Sequence, residues 1–224
     1  MNPSQISANQ SDNRPPSRVR NVGDVQGAKL DKHERCSRIN GHREKMLELF
    51  AEKGFGQVGM RELASHVGLS VGSLYHHYPS KQHLLLDVIE EFYEELMAVL
   101  DCIEQRAPAR QGLLPAIIQA HLKLHLEMPC HFRLVERDIG CLNGEQREQV
   151  RPLREHYERS LFALLRPSAA CLGPRAVADA AIIAHLLTSA PGWLTQQSLE
   201  PRERDALLQC LVSGGIDRVL DRGI

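Results

Sequence analysis

From about residue 40 onward, apolar side chains recur three and four positions apart, with charge between them and Gly, Pro or Ser at the breaks. This is the period of amphipathic helices, and no stretch alternates as a half-buried strand does. Met46, Leu47, Leu49 and Phe50 predict a first helix from a cap at Asn40 to Lys53, with Gly54 as its left-handed terminal residue. Met60, Leu63, Ala64 and Val67 fall at i, i+3, i+4 and i+7 and predict a second, short helix. Gly68-Leu69-Ser70 then makes a tight turn with Ser70 as the next N-cap. A third helix runs from Val71 to about His77, Pro79 closes it, and Ser80 caps a fourth.

Two short helices joined by a three-residue turn form a helix-turn-helix, whose second helix is offered to a DNA major groove. Leu74 and Tyr78, four apart, face inward. Ser73, His76 and His77 then fall on the other side, beside the small Gly72. On periodicity alone, a generic helical corner with solvated histidines fits as well.

The helices after Lys81 are longer. Residues 81–104 carry Leu84, Leu85, Val88, Ile89, Phe92, Leu96, Val99 and Leu100 on one face, and Pro108 and Gly112 mark a corner. Leu114 to Glu127 predicts the next helix, ended by Pro129, followed by a short segment from Phe132 to Ile139 and a GCLNG loop. Glu145 to Leu165 carries a stripe of Val150, Leu153, Tyr157, Leu161 and Leu165. Two further helices are predicted from Pro174 to Ser189 and from Pro201 to Leu220. The fold class is therefore all-α. The organisation is a basic tail expected to be disordered (1–38), a helix-turn-helix domain (39–83) and a larger helical domain (84–224).

Charge changes this picture only when it is divided along the chain. The whole carries 27 Lys+Arg against 28 Asp+Glu, but residues 1–83 carry 12 against 8 and the remainder 15 against 20. The basic excess coincides with the helix-turn-helix, where a duplex needs it. The six cysteines are widely spaced and include no Cys-x-x-Cys pair. With no apolar leader and no run long enough for a membrane span, the expected location is the cytoplasm, with reduced thiols. Motifs for a nucleophilic serine, a phosphate loop or a hydrolytic zinc are lacking, which speaks against an enzyme, and no cofactor is implied.

The run MLELFAEKGF, followed by MRELASHVGLSVGSLYHHYPSKQHLL, resembles the DNA-binding domain of TetR-family transcriptional regulators over residues 42–86. The resemblance implies that Gly72, Ser73 and His76 meet bases or adjacent backbone, and that Val71 is placed for a thymine methyl. It further implies that Tyr75 and His77 meet phosphates, and that Lys81 and the N-terminus of its helix meet one phosphate together. Family members usually carry Thr or Ser just before the second helix, where this chain has Val58-Gly59. That change removes one side-chain oxygen and leaves Glu62 with half a capping box. Arg61 is the expected replacement anchor.

The resemblance also implies a homodimer, a small-molecule effector held by the C-terminal helices, and double-stranded DNA with an inverted repeat as partner. The apolar runs 178–187 and 207–220, with the small pair Gly214-Gly215, are the expected dimer seam. The effector pocket is expected near residues 92–165, with Phe92, Leu96, His121, Leu124, His125, Met128, Phe132, Val135 and Tyr157 as candidate lining. Aliphatic side chains with few aromatics point to an apolar or acyl-like ligand, and equally describe an ordinary helical core. His121 and His125, with Cys130 and His131 nearby, have metal-ligating chemistry, but Pro129 breaks their helical spacing and no metal is expected. The expected function is a repressor released from a palindromic operator by its effector. A ligand-dependent activator and a helical partner-binding protein without specific DNA recognition are the alternatives.

Overall fold

The structure, a computed structural model, describes residues 41–106, 110–167, 173–195 and 200–221. The predicted tail, the Asn40 cap and Pro108 lie outside the described residues. Every regular element among those described is helical. A first helix, α1, covers 41–53 and is followed by α2 (Met60–Val67), α3 (Val71–His77) and α4 (Lys81–Arg106). Next come α5 (Arg110–Glu127), α6 (Pro129–Asp138) and a single 3₁₀ turn (Ile139–Cys141). The chain continues through α7 (Gly144–Leu165), α8 (Pro174–Thr195) and α9 (Pro201–Asp221).

The first three helices form where the apolar spacing places them. Gly54 and Gly68 adopt φ of 93° and 72°, the left-handed region in which a side chain would crowd the backbone. At α2 this lets the Gly68 and Leu69 N–H groups fold back onto the Ser65 and Ala64 carbonyls. Two residues later, Ser70 Oγ accepts the Ser73 N–H at 3.1 Å and starts α3. Gly59 occupies the N-cap of α2 in extended backbone without a side-chain bond. Phe50 and Phe55, with ring centroids 5.0 Å apart, join Leu63 and Leu74 in the core beneath these helices.

α4 is the central element of the larger part. It packs against α5, α6 and α7, while α8 lies against α5, α6, α7 and α9. Leu85, Ile89, Phe92 and Leu96 are completely buried along it. Three boundaries differ from the sequence expectation. α5 begins at Arg110, so Gly112 lies inside the helix together with Pro115. α8 continues through Pro191 to Thr195. In both, the backbone preference of Gly or Pro is overridden; in α5, Leu113 and Leu114 pack against the core. In α6 the helix begins earlier than Phe132, with Pro129 in the first turn, where a missing N–H costs nothing. The loop before α7 contains a reciprocal cap: Asn143 Oδ1 accepts the Gln146 N–H and the Asn143 N–H donates to Gln146 Oε1.

A Gly68→Ala substitution forces a Cβ into the left-handed turn and should lower stability by about 1 kcal/mol. Denaturant midpoints for the two proteins test this, and unchanged midpoints would mean that this conformation is not what closes α2.

Candidate DNA interface and the cavity behind it

α3 buries one side and presents the other. Leu74 and Tyr78 are 1% and 9% exposed, whereas Tyr75 is 49% exposed. Gly72, His76 and His77 are exposed as well, with Val71 and Ser73 half-buried at the start of the helix. The two histidine rings meet edge-on at 5.7 Å. The outward side of α3 therefore carries the hydrogen-bonding side chains of Ser73, Tyr75, His76 and His77.

Beside this edge, Gly59, Met60, Arg61, Tyr75, Pro79, Ser80, Lys81 and Gln82 line a concavity of about 410 Å³. The helices α2 and α4 both start at its wall, so backbone N–H groups left over at two helix ends lie at the same place as Arg61 and Lys81. Arg61 is exposed and has no ion pair among the described residues. Lys81 is not a free surface cation: its Nζ donates to the Phe55 carbonyl at 2.8 Å and the Val58 carbonyl at 3.1 Å. It also lies 4.6 Å from the Phe55 ring centroid. An ammonium has three donors, so one remains for a phosphate. Glu62 does not face the concavity as a free charge. A Lys53 Nζ bond of 2.7 Å holds its carboxyl below the usual range. Gln82 was not singled out from sequence; its helix-start position is visible there, but its neighbours are not.

Behind the first three helices, a cavity of about 290 Å³ opens between α4, α6, α7 and α8. Phe92, Phe132, Val135 and Tyr157 line it, four of the nine candidates read from the sequence. Leu96, His121 and Leu124 are buried in the core, Met128 packs half-buried against the core, and His125 borders a separate, smaller hollow. Four aromatic rings share the lining with the aliphatic Val135, Ile139, Ala181 and Ala184. Phe92 and Phe132 stack edge to face at 4.8 Å, and Tyr93 lies 5.3 Å from Phe92. The sequence reading missed Tyr93, Glu136, Ile139, Arg154 and Glu158, and a wall from α8 that includes His185, Thr188 and Ser189. That wall lies beyond residue 165 and reaches the cavity only through tertiary packing. Burial pushes Tyr93 up to about 12 and raises the Glu158 carboxyl.

His121 sits behind the wall and acts on it through Tyr157. Its Nδ1 is 2.7 Å from the Ile117 carbonyl, which only accepts, so Nδ1 carries the proton. Nε2 then accepts from the Tyr157 hydroxyl, also at 2.7 Å. With both partners supplied, the Tyr157 ring is held against the cavity. Burial lowers His121 to about 4, and His125 is lowered similarly by burial and the nearby Arg204 and Arg133 charges.

Two sets of contacts join the cavity wall to α1. Arg137 of α6 donates to the Phe50 carbonyl at 2.8 Å and, with Arg133, to the Ala51 carbonyl at 3.4 Å. The buried Asp138 carboxylate accepts from Arg137 at 2.8 and 2.9 Å and orients its guanidinium. Glu91 of α4 bridges Arg43 of α1 at 2.5 Å and His131 of α6 at 2.9 Å. None of these residues was recognised in this role from sequence, because their partners are backbone carbonyls or lie many residues away.

An exposed helix face, a concavity formed at two helix starts and a separate interior cavity are the features of this helix-turn-helix fold. Residues 45–88 match the sequence profile of the bacterial regulatory proteins of the tetR family. The chain is 30% identical over 162 residues to the nucleoid occlusion factor SlmA of Idiomarina loihiensis, a match covering 69% of this chain and 82% of that protein. The chain belongs to the TetR family of transcriptional regulators, which are DNA-binding proteins and not enzymes. It is also 32% identical over 123 residues to the transcriptional regulator LmrA of Bacillus subtilis, covering 50% of this chain and 61% of that one. A third relative is the transcriptional repressor KstR2 of Mycobacterium tuberculosis, 32% identical over 93 residues, 38% of this chain and 46% of the relative. The KstR2 structure shares the fold with a TM-score of 0.62 at 14% identity, over 80% of this chain and 92% of that chain. The sequence matches to LmrA and KstR2 therefore span less than two thirds of those proteins' lengths. Among the described residues, no helix is long and apolar enough to cross a membrane.

The buried histidines predict an acid sensitivity of known sign. The unfolded chain takes up a proton on each histidine near pH 6.5, while folded His121 stays neutral to about 4, so stability falls as pH drops through that window. For His121 alone the loss approaches about 3 kcal/mol at pH 4. Unfolding free energies between pH 7 and 4.5 should fall less steeply for His121→Gln than for the native chain. Parallel curves would show that His121 already titrates normally in the fold.

Proposed function

We propose that a homodimer of this chain represses transcription by occupying an inverted-repeat operator, and that a small effector in the α4–α6–α7–α8 cavity releases it. The observation that carries this reading is the course of α4. Its first residue, Lys81, is bonded to the α1–α2 connection, and Phe92 and Tyr93, about 16 Å further along the helix, line the cavity. A ligand that alters the packing of Phe92 acts on the same rigid element that positions α3. The α6 bonds to the end of α1 supply a second route. In this reading residues 39–83 bind DNA and 84–224 bind effector and partner, with α4 common to both. The family membership supports DNA as the partner, and the relative KstR2 is named a repressor.

A seven-residue recognition helix contacts too few bases to select one site in a genome, so two half-sites are required. The second copy is proposed to dock on α8 and α9, where Val177, Ile182, Leu207 and Leu211 are exposed. The two adjacent glycines of α9 play different parts there. A Cβ at Gly215 would lie 3.2 Å from Leu186, so that glycine serves the α8–α9 contact within the chain, while Gly214 faces open space.

Val71, Gly72, Ser73 and His76 are assigned to bases, and Arg61, Tyr75, His77 and Lys81 to phosphates. Selection of DNA fragments by the purified protein, followed by anisotropy titration across a salt series, tests the assignment. Tyr75→Phe should weaken selected and scrambled duplexes by a similar factor, as loss of a phosphate contact does. His76→Ala should cost about 1–3 kcal/mol on the selected duplex and little on the scrambled one. Equal losses for both variants on every duplex would overturn it. A promoter fusion that falls when the regulator is removed would replace repression with activation.

A further inference from the structure

The cavity's lining carries information about the charge of what enters it. Four rings, Phe92, Tyr93, Phe132 and Tyr157, surround a space whose charged groups are the carboxylates Glu136 and Glu158 and the guanidinium of Arg154. Arg154 Nε stands 3.6 Å from Glu158 Oε1, an ion pair too long to be a hydrogen bond. The Glu158 side chain is only 14% exposed, so its charge is partly desolvated and incompletely paired. Glu136, at the rim, has no ion pair among the described residues. Aromatic faces carry partial negative charge and attract cations. The Tyr157 hydroxyl is already committed to His121, which leaves its ring to the cavity.

We propose that this cavity binds a small organic cation, an ammonium compound with a compact aromatic or aliphatic body, held by ring faces and by Glu158 and Glu136. This rests on the reading of the cavity as the effector site and goes further by naming the ligand's charge class. An anion would enter beside two carboxylates, in surroundings that already disfavour the ionised forms of Glu158 and Tyr93. A neutral apolar guest would remove water from Glu158 and supply no charge in return. A cation compensates that carboxylate and adds the ring contacts. At about 290 Å³ the space is at the lower end of ligand pockets, which limits the ligand to a small one.

The test is calorimetric titration of the full chain, without DNA, using three probes of similar size: benzyltrimethylammonium, N-benzylacetamide and phenylacetate. The cation should bind at least about tenfold more tightly than the other two. Glu158→Gln and Glu136→Gln should each weaken it several-fold, and Arg154→Gln should tighten it by removing the competing guanidinium. Glu136 and Arg154 lie at or near the surface, so their variants carry the test if Glu158→Gln fails to fold. Preference for phenylacetate, lost in Arg154→Gln, would overturn the charge assignment and leave the effector site standing. Silence of all three probes at millimolar concentration would overturn both the charge and the effector reading, while operator binding, measured separately, would retain the DNA assignment.

Discussion

The placement of the helix-turn-helix depends on backbone carbonyls at the end of α1 and in the connection that follows it. A helix ends with carbonyls that have no partner within the helix. Here the Ala51 carbonyl accepts from Arg133 and Arg137 of α6, the Phe50 carbonyl accepts from Arg137 as well as from the Gly54 N–H, and the Phe55 and Val58 carbonyls of the connection accept from Lys81 of α4. The donors are cations, and those from α6 meet the negative end of the α1 dipole. Because α4 and α6 also wall the cavity, these bonds tie the end of α1 and the connection after it to the helices around the interior site.

That arrangement gives several residues two duties. Lys81 packs over Phe55 and holds two carbonyls, yet it also stands at the concavity beside Tyr75 and Arg61. Glu91 joins three helices through one carboxylate. Although burial alone would raise it, its hydrogen bonds to Arg43 and His131 hold it below the usual range. The coupling proposed between cavity and helix-turn-helix needs no long pathway. Two rigid helices and a few charged bonds separate Phe132 from the end of α1, and packed helices shift as units rather than deform continuously.

The interior shows how composition misleads when it is averaged. Aromatic residues make up 4% of the chain, which suggested an aliphatic pocket. Four of them, together with two carboxylates and an arginine, converge on one cavity from three helices. His121 shows the converse. It and His125 were both candidates for the pocket lining, but neither lines the cavity and their surroundings differ. One ring is bonded to Ile117 and Tyr157, while the other lies 4.8 Å from Phe132 and borders a different hollow.

The sequence by itself determined the helix-turn-helix, because its signals are local. Apolar spacing over a few turns, left-handed glycines at 54 and 68, the Ser70 cap and Pro79 each act within four residues of their effect. The exposed edge of α3 followed from the same periodicity. What only the tertiary structure decided was every interaction whose partner is distant in sequence (the Arg137 bonds to α1, the Glu91 bridge and the α8 wall of the cavity) together with the start of α5 ahead of Gly112. The physical reason is range. Caps and periodicity act through bonds within one or two turns, whereas the partner of a buried charge or ring is set by how whole helices pack.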